Sequence, residues 1–130
     1  MAILSWGAVE ATCCTAAAGR DLLIGGLGAD HINGNSHDDI LIGGTTDFDD
    51  NDDALLAILG EWNSVRTISE RVANIREGNG SVLAGTNYRL TSGLTAHADG
   101  EVDRLQGAAG VDWFFASEED HVTGKEELAD

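Results

Sequence analysis

The chain has 130 residues, and 42% of them are hydrophobic, which suits one domain with a small core. Its formal net charge of −16 argues against nucleic acid as a partner, because phosphates repel an anionic protein, and favours cations instead. No apolar run reaches the roughly 20 residues that a membrane span needs.

Residues 1–15 fit no repeat and are left unassigned. They include the adjacent Cys13 and Cys14, which form a disulfide poorly because its geometry is strained. Residues 1–18 lack a basic segment and carry Glu10, so they make a poor secretory signal peptide. We therefore expect either export by another route or a chain that is part of a longer protein.

Residues 16–51 repeat with a period of nine. In rows of nine they read AAAGRDLLI, GGLGADHIN, GNSHDDILI and GGTTDFDDN, and they hold many of the chain's 17 glycines. The template is G-G-x-G-x-D-x-U-x, where U is a large apolar residue, and the second row matches every defined position. The fourth row departs from it with Phe48 at position six. Position six is otherwise Asp21, Asp30 and Asp39, and position eight is Leu23, Ile32 and Leu41.

Each nonapeptide predicts a six-residue turn followed by a three-residue strand. Position eight points inward and positions seven and nine point outward, because side chains alternate along a strand. Two repeats, 18 residues in the rows above, complete one turn, so that loops 18 residues apart stack and their strands pair in parallel. The predicted fold class is mainly β with some α: a short parallel β-roll, a two-sheet solenoid, with one central amphipathic helix packed on one face.

That helix is predicted over residues 52–76, where apolar residues recur at helical spacing, with Asn63-Ser64 as a candidate break within it. Asn51 is its expected N-cap and Gly78 or Gly80 its end. It is expected to cover four outward aliphatic side chains that would otherwise form an exposed patch. These four are Leu22, Ile24, Ile40 and Ile42. Residues 77–97 are predicted as a β-like connecting region.

A second repeat block is predicted over residues 98–124, followed by a tail at 125–130. Its rows read ADGEVDRLQ and GAAGVDWFF, with Asp103 and Asp112 at position six. Asp120 begins one further D-x-U-x-G step, one residue early. Trp113 and Phe115 fall at outward positions, so this block also needs a cover or a partner.

The full match at residues 25–33, with neighbouring rows in phase, resembles the RTX, or hemolysin-type, calcium-binding repeat family. The resemblance covers about a third to a half of the chain, counting both blocks, and several rows in one register are a specific signal. It implies Ca²⁺ as the bound metal and an extracellular or cell-surface location. It also implies that each ion lies between two stacked loops, bound by backbone carbonyls and by the Asp at position six of each loop.

Carried over by position, the resemblance implies two sites in the first block. The first consists of Ala17, Gly19, Asp21, Gly34, Ser36 and Asp39. The second consists of Gly26, Gly28, Asp30, Gly43 and Thr45, completed by Asp47, by Asp49 or by water in place of the missing aspartate. In the second block, Asp103 is expected to pair with Asp120, and Asp112 has no evident downstream partner.

Two other metal sites fit the sequence less well. An EF-hand over residues 47–58 would need Gly at position six and Glu at position twelve, where the chain has Asp52 and Ile58. A zinc site from the cysteines, His31 and His37 lacks the usual ligand spacing. Calcium therefore remains the expected ligand.

The predicted function is calcium binding that drives or stabilises folding of a secreted or cell-surface module. No enzyme is expected, because the chain has no G-x-S-x-G, H-E-x-x-H or Walker motif. One alternative is a structural or adhesive module with architectural repeats, which binds a protein partner or self-associates through its apolar outer face around Trp113 to Phe115. Another is the non-catalytic tail of a longer secreted enzyme.

Overall fold

A computed structural model of the protein describes residues 3–5, 13–15, 19–83, 85–86, 88–91, 93–98, 100–108, 110–117, 119–123 and 126–129. The fold is mixed α/β. Its strands are β1 (Ile3–Ser5), β2 (Cys13–Thr15), β3 (Leu22–Ile24), β4 (His31–Asn33), β5 (Ile40–Ile42), β6 (Thr45–Thr46), β7 (Ala96–His97), β8 (Arg104–Gln106), β9 (Val111–Phe115), β10 (His121–Thr123) and β11 (Glu126–Ala129). Its helices are α1 (Asp52–Trp62), α2 (Ile68–Glu77) and α3 (Gly80–Leu83).

The repeat strands form two parallel sheets, and the chain alternates between them. The larger sheet has the order β1-β3-β5-β9-β11 and the smaller one β10-β8-β4-β2. Within the first block, Leu22 pairs with Ile40, the 18-residue step that the period predicts. Beyond it, Ile40 pairs with Trp113, a step of 73 residues. Both repeat blocks therefore share the same two sheets.

The side chains at position eight fill a buried cluster between strands of the two sheets. Both blocks contribute to it, and each of its members is at most 1% exposed. They are Leu23, Ile32, Leu41, Leu105 and Phe114. Burial of each such side chain stabilises the fold by about 1.5–3 kcal/mol, which explains why this position carries a large apolar residue in both blocks.

The outward aliphatic side chains of the larger sheet are covered by the helices. Leu22, Ile24, Ile40 and Ile42 pack in one cluster with Trp113, Phe115 and the apolar faces of α1 and α2. The indole rings of Trp62 and Trp113 lie 5.9 Å apart between their centroids. Trp113 and Phe115, the residues expected to offer a partner-binding face, are instead buried beneath the helices.

The single helix predicted over residues 52–76 is two helices, because the chain turns after Trp62, at the break that Asn63-Ser64 indicates. Asn51 caps α1 as expected, its side chain accepting a hydrogen bond from Ala54 N–H at 3.2 Å. A new cap begins α2, where Thr67 Oγ1 accepts from Glu70 N–H at 3.2 Å. The T-x-x-E sequence from Thr67 to Glu70 is the signature of a capping box, and it marks this second helix start.

Residues 77–97 contain less β-structure than predicted. The described residues there form α3 and the short strand β7, which pairs antiparallel with β6. Leu90 N–H donates to Ile75 O at 2.9 Å, so this run packs against α2 rather than forming a strand. Among the described residues, no helix is long and apolar enough to cross a bilayer.

We expect Trp62→Ala to destabilise the protein by about 3–5 kcal/mol, because it opens a cavity between α1 and the larger sheet. Trp62 is 0% exposed, and its Nε1–H donates to Asp38 O at 2.8 Å. Denaturant unfolding in calcium buffer measures the loss. The control is Leu56→Ala on the exposed face of α1, which should change the unfolding free energy by less than about 0.5 kcal/mol. Equal losses in the two variants would show that the helix does not cover this face.

Candidate metal-binding loops

Three repeat loops bring their first glycine against their own position-six carboxylate. A Cβ atom at Gly25 would lie 2.5 Å from Asp30 Oδ2, and one at Gly34 would lie 2.6 Å from Asp39 Oδ2. The same contact recurs between Gly107 and Asp112 in the second block. A side chain at position one would thus displace the carboxylate, so glycine keeps the space beside it open.

Positions two and four of the loops require left-handed backbone. At position two, φ is +85° in Gly26, +69° in Asn35 and +60° in Ala108. At position four, it is +93° in Gly28 and +99° in Gly110, and His37, the off-consensus residue, still adopts +73°. The loop shape therefore persists where the glycines do not, at a cost of about 1–2 kcal/mol for each such residue.

The position-six aspartates preceding or beginning the larger sheet's strands form a first column: Asp21, Asp39 and Asp112. Oδ1 of Asp39 accepts from Asp21 N–H at 2.8 Å, and Oδ1 of Asp112 accepts from Asp39 N–H at 2.9 Å. All three are at most 1% exposed. The carboxylates of Asp39 and Asp112 thus each bind the amide of the preceding loop's aspartate, which leaves Oδ2 of Asp39 for another ligand.

The smaller sheet has a second column: Asp30, Asp103 and Asp120. Oδ1 of Asp103 accepts from Asp30 N–H at 2.7 Å, and Oδ1 of Asp120 accepts from Asp103 N–H at 2.9 Å. The expected pairing of Asp103 with Asp120 is thus a direct backbone-to-side-chain contact, and Asp103 also joins the two repeat blocks.

The loop that holds Asp103 is split by a long insertion. Gly43 fills its first position, since a Cβ there would lie 2.6 Å from Asp103 Oδ2. Gly26 N–H donates to Gly44 O at 2.8 Å, which stacks this loop on the preceding one. The structure thus brings Asp103 beside Asp30. Asp47 and Asp49, which were expected to supply this carboxylate, have other contacts. Asp47 is exposed and binds His97 Nε2 at 2.8 Å, and Asp49 binds Thr46.

Asp38 has a role that sequence reasoning missed by treating it as a solvated neighbour of Asp39. Its Oδ1 accepts from Val111 N–H at 2.8 Å, and its Oδ2 lies 3.7 Å from the Arg71 guanidinium. Its carbonyl accepts from Trp62 Nε1–H at 2.8 Å. Asp38 therefore connects both repeat blocks to both main helices.

Burial and neighbouring charges favour the protonated forms of two carboxyl groups in the first column, those of Asp39 and Asp112. The pKa of Asp39 is raised to about 8, chiefly by burial and further by the charges of Asp112, Asp21 and Asp38. Burial, with the charge of Asp38, also raises the pKa of Asp112 to about 7. Oδ2 of Asp39 is buried and has no hydrogen-bond partner among the described residues. A cation at this oxygen would offset both the repulsion between the carboxylates and the burial of an oxygen without a hydrogen bond.

The other residues of the two expected sites are positioned as follows. Gly19 and Ser36 lie in the stacked loops that end in Asp21 and Asp39, and Gly19 N–H donates to His37 Nδ1 at 3.1 Å. Thr45 lies in β6, where it pairs with His97. Ala17 lies outside the described residues.

Residues 15–47 match the family model of the RTX calcium-binding nonapeptide repeat, in 4 copies. These residues are RTX calcium-binding repeats. RTX nonapeptides bind Ca²⁺, and they are typically structural calcium-binding repeats of secreted or surface proteins rather than catalytic segments. The resemblance seen in the sequence is thereby confirmed for the first repeat block. Neither the curated proteins nor the solved structures give a match to the chain.

The loop residues fit a calcium ion. Ca²⁺ takes about 6–8 oxygen ligands, largely carboxylates and carbonyls. Asp39 Oδ2 is a buried carboxylate oxygen of this kind, and it borders the space that a Cβ at Gly34 would fill. Among the described residues, no three His, Cys, Asp or Glu side chains group in a way that would hold a metal. A site here would therefore depend on backbone carbonyls as well as on the aspartates.

We expect the calcium-free protein to lose stability as pH rises from about 5 to 8. The folded pKa of Asp39, about 8, exceeds its ordinary value of 3.8, so the folded state holds a proton that the unfolded chain releases. That stabilisation is complete below the ordinary pKa and is lost as pH rises through the folded one. Thermal unfolding in chelator measures it.

Asp39→Asn should flatten this pH dependence, whereas Asp50→Asn in the exposed turn should leave it unchanged. Saturating calcium should also flatten it, because the bound ion replaces the proton. A calcium-free unfolding temperature that rises between these pH values, or identical slopes in the two variants, would contradict the assignment to Asp39.

The left-handed backbone of Ala108 gives a second prediction. Ala108→Gly should raise the unfolding free energy by about 1 kcal/mol, because glycine adopts φ of +60° without strain. The matched variant is Ala29→Gly, also at an exposed loop alanine but outside the left-handed region, which should lower it by up to about 1 kcal/mol. Chemical denaturation with calcium present distinguishes the two variants. A change in unfolding free energy of the same sign in both would contradict backbone strain at Ala108.

Proposed function

We propose that the protein binds calcium through its nonapeptide loops and that the bound ions stabilise the fold of a secreted or cell-surface module. The two parallel sheets would form a short β-roll, with ions between stacked loops. The observation that carries the proposal is the buried first column, where Asp39 has one oxygen on a backbone amide and the other without a partner among the described residues.

The proposed first site lies between the loops that end in Asp21 and Asp39. The two carboxylates supply charge, and backbone carbonyls of Ala17, Gly19, Gly34 and Ser36 complete the shell. The family match covers both loops. The left-handed backbone at Gly19, with φ of +112°, supports a loop whose carbonyls are turned in a non-regular direction.

Calcium would act on folding by removing repulsion. Asp112, Asp21 and Asp38 all raise the pKa of Asp39, so the ionised column is unfavourable without a cation. An ion that binds only the folded state adds about 2.7 kcal/mol of stability per site at a hundredfold excess over Kd. The net charge of −16 opposes the compact state over the whole surface as well, and bound cations reduce it.

The adhesive alternative has less support. It needs an apolar outer face that is open to a partner, and Trp113 and Phe115 are buried under α1 and α2. The tail of a longer secreted enzyme remains compatible with the same calcium chemistry, since it differs only in what the module is attached to.

The test is a calcium titration of chelated protein by calorimetry and far-UV circular dichroism, with magnesium as the ion control. We expect calcium, but not magnesium, to bind with heat and to increase the β signal. Asp39→Ala should lose one bound equivalent or at least about tenfold in affinity, because it removes a charged ligand. Asp50→Ala removes a charge from an exposed turn outside the columns and should match the wild type. A folded spectrum that ignores calcium, without binding heat, would show that the repeats are architectural.

A further inference from the structure

The insertion into the repeat is closed by a weak neck. We define the insertion as residues 45–102 and the neck as β6 with β7, where Thr45 pairs with His97 and Thr46 with Ala96. A two-stranded pair of two residues per strand has little stability of its own. The ion pair of Asp47 with His97 is about half exposed and adds little in water. Closure therefore depends on contacts outside these two strands, which include the packing of the helices on the larger sheet and the loop beneath the neck.

Beneath the neck lies the loop that the insertion splits. Gly43 belongs to the chain entering the insertion, and Asp103 belongs to the chain leaving it. A Cβ atom at Gly43 would lie 2.6 Å from Asp103 Oδ2. The same distance separates a Cβ at Gly34 from Asp39 Oδ2 in an uninterrupted loop. The split loop thus reproduces the geometry of a regular calcium loop from two segments far apart in sequence.

The split loop stacks on the loop of residues 25–30. Asp103 Oδ1 accepts from Asp30 N–H at 2.7 Å, and a Cβ at Gly25 would lie 2.5 Å from Asp30 Oδ2 and 2.8 Å from Gly43 O. Asp30 and Asp103 are 3% and 1% exposed, so their carboxylates are shielded from water. Asp30 Oδ2 and the carbonyl oxygen of Gly43 therefore meet in the space that Gly25 keeps open, and the Asp103 carboxylate contacts the same two loops through Asp30 N–H and Gly43.

The split loop is not close-packed around Asp103. A cavity of about 40 Å³ lies there, lined by Gly44, Ala96, His97, Asp103 and Asp120 among others. This volume has room for water. Apolar packing at Ala96 is therefore incomplete at this point, and polar interactions at Asp103 contribute to the closure.

We propose that a calcium ion bound at the split loop, with Asp30 and Asp103 as its carboxylate ligands, holds the two ends of the insertion together. Asp103 thereby completes the site that Gly26, Gly28, Asp30 and Gly43 begin. The helical insertion and the sheets become ordered together when this ion binds. The inference rests on the proposed calcium binding, and it adds that this one site controls the neck.

The experiment is hydrogen exchange by mass spectrometry on the full chain, in calcium and in chelator, with bound calcium counted by calorimetry. Asp47 N–H donates to Thr95 O at 2.8 Å and reports on the closed neck. In wild type, calcium should slow exchange of the neck segments by about tenfold or more. Asp103→Asn should lose one calcium equivalent together with this protection. Asp39→Asn, in the first column, should lose one calcium equivalent but retain the calcium-dependent protection of the neck.

Protection of the neck that survives Asp103→Asn with an undiminished calcium count would overturn the inference. So would equal loss of neck protection in both variants, because the neck would then follow folding as a whole. A wild-type chain that binds no calcium would overturn the proposed function itself, which separates the two failures.

If Asp103→Asn does not fold, substitutions at two glycines test the same inference without removing a charge. Gly25→Ala would fill the space between Asp30 and Gly43, and Gly34→Ala would fill the equivalent space beside Asp39. Gly25→Ala should abolish the calcium-dependent protection of the neck, and Gly34→Ala should leave it. The reverse result would contradict the role of the split loop.

Discussion

The fold depends on buried carboxylates that accept hydrogen bonds from the backbone of an adjacent loop. The bond from Asp21 N–H to Asp39 fixes how one turn stacks on the next, and the bond from Asp39 N–H to Asp112 continues the stack. These bonds bring negative charges together in a shielded place, which burial alone would not favour. The same interaction that sets the register of the strands therefore creates the need for a cation. The contacts that stack the loops and the proposed metal binding thus involve the same residues.

The helices are joined to this stack through polar contacts as well as through the apolar face. Arg20, from the first repeat, donates to the carbonyls of Trp62 and Ser64, and Arg71 donates to Trp62 O. Both cations lie at the C-terminal end of α1, where free carbonyls favour positive charge. The Arg71 guanidinium also approaches Asp38, beside Asp39. The insertion is thus tied to the loop that carries the most strongly shifted carboxylate.

Much of the repeat geometry could be predicted from the sequence. The period of nine placed Asp at position six and apolar residues at position eight, and the register of Leu22 with Ile40 follows from it. The partner of Asp30 could not be predicted, because an 18-residue step leads to Phe48. The repeat row that contains Asp103 is recognisable, but nothing in it shows that it continues the loop begun at Gly43. The turn after Trp62 was visible in principle, since Thr67 and Glu70 spell a helix start. Asp38 gave no signal, because its partners Val111 and Arg71 come from distant segments.

The side-by-side ends of the insertion have a consequence for how such a chain can arise. Because β6 and β7 run antiparallel at the neck, the chain leaves the repeat and returns to it at nearly the same point. A segment with this property can be gained or lost without changing the strands on either side, as in other cases where a domain is accepted within an exposed loop. The interrupted nonapeptide is therefore a suitable insertion point, at which the parallel sheets gain a helical cover for a face that the repeats leave apolar.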